Sequence, residues 1–309
     1  MPGETSSATA CSVFDRSPAR TRVAPHAQTH DAQTQGDGFG ASNIRASRTH
    51  LVIIPSFNSG RLLAQTAAAA RVYWAPIWVV IDGSTDYSAA AVEAMASVDP
   101  FLRVIHLPRN CGKGAAVCHG LIAARTSGFT HALVMDADGQ HPADRVPAFM
   151  AMSAAAPDAL VMGRPEFGPE APRIRVISRR LCNACAMLVT LRQVGDTLFG
   201  FRVYPIAALL VAMAKTKGMR RFDFDPEAVV RLSWDGIPLV HLPTPVRYLS
   251  CTEGGVSHFR YARDNLLLIR MFLRLSREAA VRFARQCLIK PPRIKSDPDG
   301  RSAGLKADW

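Results

Sequence analysis

The stretch Ala132-Leu-Val-Met-Asp136-Ala-Asp138-Gly-Gln140-His141 ends an apolar run abruptly on two carboxylates one residue apart, with Gly behind them. The run reads as a buried strand. Its acids fall at the C-terminal end, where open α/β sheets take their ligands. Asp136 and Asp138 are hard oxygen donors of the kind that hold Mg²⁺ or Mn²⁺. A cation there can carry a diphosphate and stabilise the charge that grows on it as a leaving group. His141 stands close enough in sequence to be a further ligand, although a His at a helix start more often serves the fold. Acidic turns after strands are common, so the weight of this pair depends on what surrounds it.

Two other groups carry similar chemistry. Asp82-Gly83-Ser84-Thr85-Asp86 closes the apolar run 78–81, and its carboxylates can accept from a base or ribose or can cap the next helix. Asn110-Cys111-Gly112-Lys113-Gly114 opens a helical pattern that runs to residue 126. Its glycines permit close backbone approach, a helix N-terminus favours anions, and Lys113 adds a point charge. The spacing is not that of a P-loop.

The elements that must position these groups alternate along the chain. Residues 51–54 form a strand ended by Pro55, 61–72 a helix, 78–81 a strand, 89–97 a helix and 103–107 a strand. The helix from residue 110 to 126 and the strand ending at Asp136 follow. This alternation predicts an α/β fold with a mostly parallel sheet. In such a sheet the turns after the first, second and fourth strands lie on one edge, so Pro55-Ser-Phe-Asn58, the 82–86 turn and the Asp136–Asp138 turn converge on one crevice.

Composition bounds the rest. The 309 residues are 48% hydrophobic, enough for a sizeable core, and the net charge of +12 suits an anionic partner. A bias towards Arg and Ala explains that charge equally well. Cys182-Asn-Ala-Cys185 has no second pair at zinc-like spacing and falls in a helical pattern over 177–191, so both read as small core residues, in keeping with a reducing cytoplasm. Residues 1–48 are poor in large apolar side chains and are expected to be disordered; residues 290–309 read as a loose tail. No signal-peptide pattern is visible in 1–20, and no apolar run reaches the ~18–20 residues needed to span a bilayer.

Five ordered motifs carry a resemblance over about residues 50–275. They are Val52-Ile-Ile-Pro-Ser-Phe-Asn58, Asp82-Gly-Ser-Thr-Asp86, Asn110-x-Gly-Lys-Gly114, Asp136-Ala-Asp138-Gly-Gln140 and Asp196-Thr-Leu-Phe-Gly-Phe-Arg-Val-Tyr-Pro205. Phe222-Asp-Phe-Asp-Pro-Glu227 and Pro243-Thr-Pro-Val-Arg247 continue it. The chain resembles family 2 glycosyltransferases, and most of all the branch that glycosylates polyprenol (dolichol) phosphates. The resemblance implies a GT-A (Rossmann-like) fold, a UDP- or GDP-sugar donor, a divalent cation and inversion at the anomeric carbon. By motif, Pro55, Phe57, Asp82, Lys113 and Asp136 would hold the donor, and Asp136 and Asp138 the metal. Ile81 departs from the pattern, because the family commonly has an acid there, and this leaves the base open.

On the acceptor side, a sugar hydroxyl needs a general base whereas a phosphate monoester is already ionised. Asp225 and Glu227 are candidates for that base. Arg202, Arg247, Arg260 and Arg263 are candidates to clamp a phosphate, since Arg holds it bidentately. Asp138, Asp225, Glu227 and Arg202 therefore form the expected catalytic set. Glu253-Gly-Gly-Val-Ser-His258 reads as a loop able to close on glycine hinges. Residues 261–287 form a helical pattern with Leu266, Ile269, Leu273, Ala280 and Phe283 on one face and Arg263, Arg270, Arg274, Arg277 and Arg285 on the other. Such a helix either packs on the domain or lies in an anionic membrane surface.

The expected organisation is a tail over 1–48, the transferase domain over 49–258, the basic helical segment over 259–289 and the final tail. The expected function is sugar transfer to polyprenyl phosphate or another lipid acceptor, on the cytoplasmic side and peripheral to the membrane. Transfer to a soluble or polysaccharide acceptor, and a non-catalytic nucleotide-binding relative, are the alternatives. The chain shows no nucleic-acid-binding module, and its basic residues are not interleaved with aromatics, so no nucleic-acid partner is expected.

Overall fold

The computed structural model describes residues 45–167, 173–246 and 261–288. The strands are β1 (His50–Ser56), β2 (Ile77–Asp82), β3 (Leu102–Leu107), β4 (His131–Val134), β5 (Leu160–Glu166), β6 (Arg202–Pro205) and β7 (Leu239–Pro245). They form one sheet in the order β3-β2-β1-β4-β6-β5-β7. β6 runs antiparallel to both its neighbours, and the other pairings are parallel.

Between the strands lie α1 (Arg61–Tyr73), α2 (Ser88–Val98), α3 (Lys113–Thr126), α4 (Val146–Ala155), α5 (Arg173–Thr190), α6 (Ile206–Ala214) and α7 (Phe224–Trp234), and α8 (Tyr261–Leu288) follows β7. The sheet is covered on both faces, which is why its central strands are apolar throughout rather than alternating with polar residues. Leu51, Ile53, Trp78, Val80, Ala132 and Val134 pack under α3, α5, α6, α7 and α8. Val52, Ile54, Ile77, Val79, Leu133 and Met135 pack under α1, α2 and α4. The alternation of neighbouring residues between the two layers follows from the two-residue period of a strand.

Two expectations change. β1 does not end at Pro55 but includes it, in register with Val80 of β2. Val52 donates its N–H to β2, at Pro76 O, so the odd positions of β1 turn towards β4. β4 ends at Val134, opposite Ile53, so the N–H that Pro55 lacks has no strand to reach. The second change concerns α8. Its packed residues are Asp264, Met271, Leu275 and Ala279, whereas Leu266, Ile269, Leu273 and Phe283, expected as its apolar face, are exposed. The helix has an inward seam and a second apolar stripe. Residues 1–44 and 289–309, with most of the two expected tails, and the 253–258 loop lie outside the described residues.

Candidate active site

The turns after β1, β2 and β4 meet at the C-terminal edge of the sheet. Asn58 ties the first two together: its N–H donates to Ser84 Oγ (3.0 Å), and its side-chain oxygen accepts from the Thr85 N–H (2.8 Å). Asp86 then accepts from the Gly60 N–H at 2.9 Å, ahead of α1. Asp82, at the end of β2, accepts from the N–H groups of Cys111 (2.8 Å) and Gly112 (2.7 Å). Burial raises its pKa, and these two amides act against that rise. Only 2% exposed, Asp82 spends both oxygens on shaping the start of α3, not on facing a nucleoside as its motif implied. Pro55 is buried at the end of β1, and Phe57 is half-buried just beyond it.

Lys113 is the first residue of α3, and its ammonium bridges two acids. It lies 2.7 Å from Asp136 Oδ1 and 2.7 Å from Asp225 Oδ2. Burial alone would lower its pKa, but the two carboxylates outweigh burial and raise it, so Lys113 stays a cation. Asp136 and Asp138 are driven apart. For Asp136 burial favours the neutral acid, yet Lys113 and His141 prevail and hold its pKa below the usual range. For Asp138 burial and the like charge of Asp136 both raise it. Among the described residues, one acid thus has a counter-cation and its neighbour has none in contact.

Nδ1 of His141 accepts the Asp136 N–H at 3.0 Å. The neutral ring then carries its proton on Nε2, which lies 3.8 Å from Asp136 Oδ2. The ring is 7% exposed and stands edge-on to Phe199, with centroids 4.9 Å apart. The lone pair on Nδ1 is taken by the Asp136 N–H, so His141 ties down the backbone of the Asp136 turn. Among the described residues no group of three or more His, Cys, Asp or Glu side chains is arranged to hold a metal ion. Asp136 and Asp138 remain the chemically suitable pair: the uncompensated charge on Asp138 fits a cation, and Mg²⁺ commonly takes one or two carboxylates and completes its shell with phosphate and water.

Two residues expected at the acceptor side are committed to protein partners instead. Arg202 is wholly buried. It donates to Asp225 O at 2.6 Å, and to Tyr204 Oη and Asp196 O at 3.2 Å each. In this arrangement both terminal nitrogens serve protein acceptors, and Arg202 props up the first turn of α7 from beneath the sheet edge, with its Nε unpartnered among the described residues. Glu227 is also wholly buried. Its two oxygens accept from Arg231 Nε (2.7 Å) and from Arg274 Nη2, so it is no candidate base. Of the other candidate clamps, Arg263 is exposed on the first turn of α8, and Arg247 and Arg260 lie outside the described residues.

Gly200 is the participant that motif reading passed over. A Cβ on it would fall 2.8 Å from Lys113 Nζ, 3.2 Å from Asp225 Oδ1 and 3.3 Å from Asp136 Oδ2. The loop before β6 thus closes directly over the Lys113 trio. In the Gly-Phe-Arg signature the charged member carries the visible chemistry, whereas the absent side chain of Gly200 is what meets the site.

The profile described as "Glycosyl transferase family 2" matches residues 51–215, slightly more than half of the chain. The chain belongs to glycosyl transferase family 2. This glycosyltransferase is 26% identical over 217 residues to the polyprenol monophosphomannose synthase of Mycolicibacterium smegmatis, which covers 68% of this chain and 81% of that one. It is 30% identical over 207 residues to a dolichyl-phosphate beta-glucosyltransferase of Trichomonas vaginalis, covering 64% of this chain and 60% of that protein. Its fold is that of glucosyl-3-phosphoglycerate synthase from Mycobacterium tuberculosis, solved with Mn²⁺, UDP-glucose and phosphoglyceric acid. The TM-score is 0.53 at 20% identity, over 74% of this chain and 80% of that one. The mostly parallel sheet with flanking helices is thus the GT-A arrangement.

Proposed function

We propose that this family 2 glycosyltransferase moves a hexose, with inversion, from a nucleotide-sugar to a polyprenyl phosphate at a membrane surface. The observation that carries the acceptor assignment is the state of the two candidate bases. Glu227 is sealed between two arginines, and Asp225 is 5% exposed, with Oδ2 on the Lys113 ammonium and Oδ1 buried without a hydrogen-bond partner among the described residues. An acceptor hydroxyl needs a base, whereas an ionised phosphate monoester attacks without one. The names of the two relatives, a polyprenol and a dolichyl phosphate transferase, support the same acceptor class.

On the donor side, Lys113 meets the diphosphate, while Pro55 and Phe57 flank the nucleoside. Asp136 and Asp138 hold Mg²⁺ or Mn²⁺, and the ion supplies charge stabilisation to the departing nucleoside diphosphate. His141 keeps Asp136 turned to that task. A UDP-sugar is favoured by the UDP-glucose bound in the structural relative, and a GDP-sugar remains the other arm of the test.

Two helices provide the surface on which such an acceptor is met. Ile177 (63% exposed), Leu181 (66%), Leu188 (72%) and Leu191 (63%) line an outer stripe along and just beyond α5. Leu266, Ile269 and Leu273 line a second one on α8, which packs beside α5. α5 contains no acid, and the two acids of α8 point inward, Asp264 buried and Glu278 paired with Arg231. Exposed Leu and Ile among Arg suit an anionic interface. No described helix is long and apolar enough to cross a membrane.

The test is a screen of UDP- and GDP-hexoses with Mg²⁺ or Mn²⁺, with and without undecaprenyl phosphate. A glycosylated lipid phosphate is the expected product. Donor hydrolysis alone, or transfer only to soluble sugars, overturns the acceptor assignment.

A further inference from the structure

The buried acid Glu227 sits in a four-residue charge network that joins α7 to α8. Arg231 donates to Glu227 Oε1 and also makes a two-bond pair with Glu278 of α8, at 2.9 and 3.0 Å. Arg274 of α8 reaches Glu227 Oε2. Residues two apart on a helix point about 200° away from one another. Asp225 and Glu227 therefore leave the first turn of α7 in opposite directions, one to Lys113 and the other to α8.

A second route joins the same two places. Gly218 lies against the network so closely that a Cβ there would fall 2.2 Å from Arg274 Nη2 and 2.6 Å from Glu227 Oε2. Two residues on, Arg220 O accepts the N–H of Ala115 at 3.0 Å, in the first turn of α3. Asp223 fixes the shape of this loop by accepting from the Met219 N–H (3.0 Å) and the Arg221 N–H (2.9 Å). Packed groups thus run without a gap from Arg274 through the 218–223 loop to the residues beside Lys113.

We propose that Arg274 and Glu278 are positioning residues for sugar transfer: acting through Glu227, Arg231 and the 218–223 loop, they hold Asp225 and Lys113 in register across the site. α8 presents the network on its inner side and the exposed Leu266–Ile269–Leu273 stripe elsewhere on its surface. The helix that meets the membrane is therefore the one that braces the donor site, so its seating on lipid and the geometry of the site are coupled. The membrane half of this statement rests on the function proposed above; the positioning half does not.

The test compares the full-length chain with its Arg274→Gln, Arg274→Lys and Glu278→Gln variants by hydrogen exchange and by kinetics. In Arg274→Gln, peptides covering 110–116 and 218–228 should exchange about fivefold faster, with β1 peptides at the wild-type rate. kcat should fall on the order of tenfold with donor KM within about twofold, as expected when aligned groups lose their placement. Arg274→Lys should recover most of both, and Glu278→Gln should repeat the pattern more weakly. Faster exchange confined to α8, faster exchange spread equally into β1, or full turnover in Arg274→Gln would each overturn the proposal. Failure of the wild-type chain to glycosylate polyprenyl phosphate would sink the acceptor assignment, whereas the exchange pattern would still decide the positioning role.

Discussion

Lys113 and Arg202 are two cations that both touch Asp225 and have very different duties. Lys113 touches Asp136 and Asp225 from the mouth of α3, whereas Arg202 binds backbone oxygens and Tyr204 from full burial. Replacing Lys113 by Met leaves two carboxylates facing each other with no cation and strips the donor site of its charge. Turnover should fall on the order of 10²–10³-fold, and the two carboxylates left without their cation should lower the melting temperature as well. Arg202→Met should act on stability first and on turnover less. It orphans the Asp225 and Asp196 carbonyls and the Tyr204 hydroxyl, and should cost roughly 2–4 kcal/mol of stability. Thermal melts beside steady-state rates separate the two. A Lys113→Met enzyme with near-native turnover would remove the ammonium from the mechanism.

At the scale of elements, the start of β1 and the start of β4 are joined by an imidazole pair at the edge opposite the active site. His50 and His131 are register partners, and their rings stack with centroids 4.4 Å apart. Burial, and secondarily His131, lowers the pKa of His50 to about 4. The unfolded chain holds this group near 6.5, so between about pH 6.5 and 4 the unfolded state binds more protons than the native one. Stability contributed by the neutral ring is thus complete above pH 6.5 and drains away as the pH falls through that window. On the order of 2 kcal/mol should be lost by pH 4.5, and His50→Gln should flatten the profile. Denaturant midpoints measured from pH 7 to 4.5 decide this; the same slope in wild type and variant would place its source elsewhere.

Taken whole, the molecule is polarised. The proposed donor site lies at the C-terminal edge of the sheet, and among the described residues the exposed Leu and Ile side chains concentrate on α5 and α8, in a chain of net charge +12. Binding to anionic vesicles should therefore combine insertion with electrostatics. Leu181→Glu together with Leu273→Glu should reduce the bound fraction by about tenfold or more, and raising the salt should weaken what remains. Vesicle sedimentation gives the answer, and an unchanged bound fraction in the double variant would remove these helices from the interface. Both positions are exposed, so fold stability should hold.

Strand–helix alternation, the parallel sheet and the convergence of the 55–58, 82–86 and 136–138 turns were legible in the chain. Each depends on local periodicity and on which end of a strand a polar turn follows, and neighbouring residues encode both. The direction of individual side chains was not legible. That Asp82 turns back to two backbone amides, that Arg202 and Glu227 face inward, and that α8 buries Met271 and Leu275 while exposing Leu266 and Leu273, depend on segments that only the fold brings together: Asp82 meets amides 29 and 30 residues on, Arg202 a carbonyl 23 residues on, and Glu227 a guanidinium 47 residues on. A charged residue in a motif looks the same in sequence whether it meets a ligand or a carbonyl. Residue types and spacing therefore determined the fold class and the edge at which chemistry occurs. Only tertiary packing decided which charges face the cleft, because burial and pairing are properties of what surrounds a side chain in space.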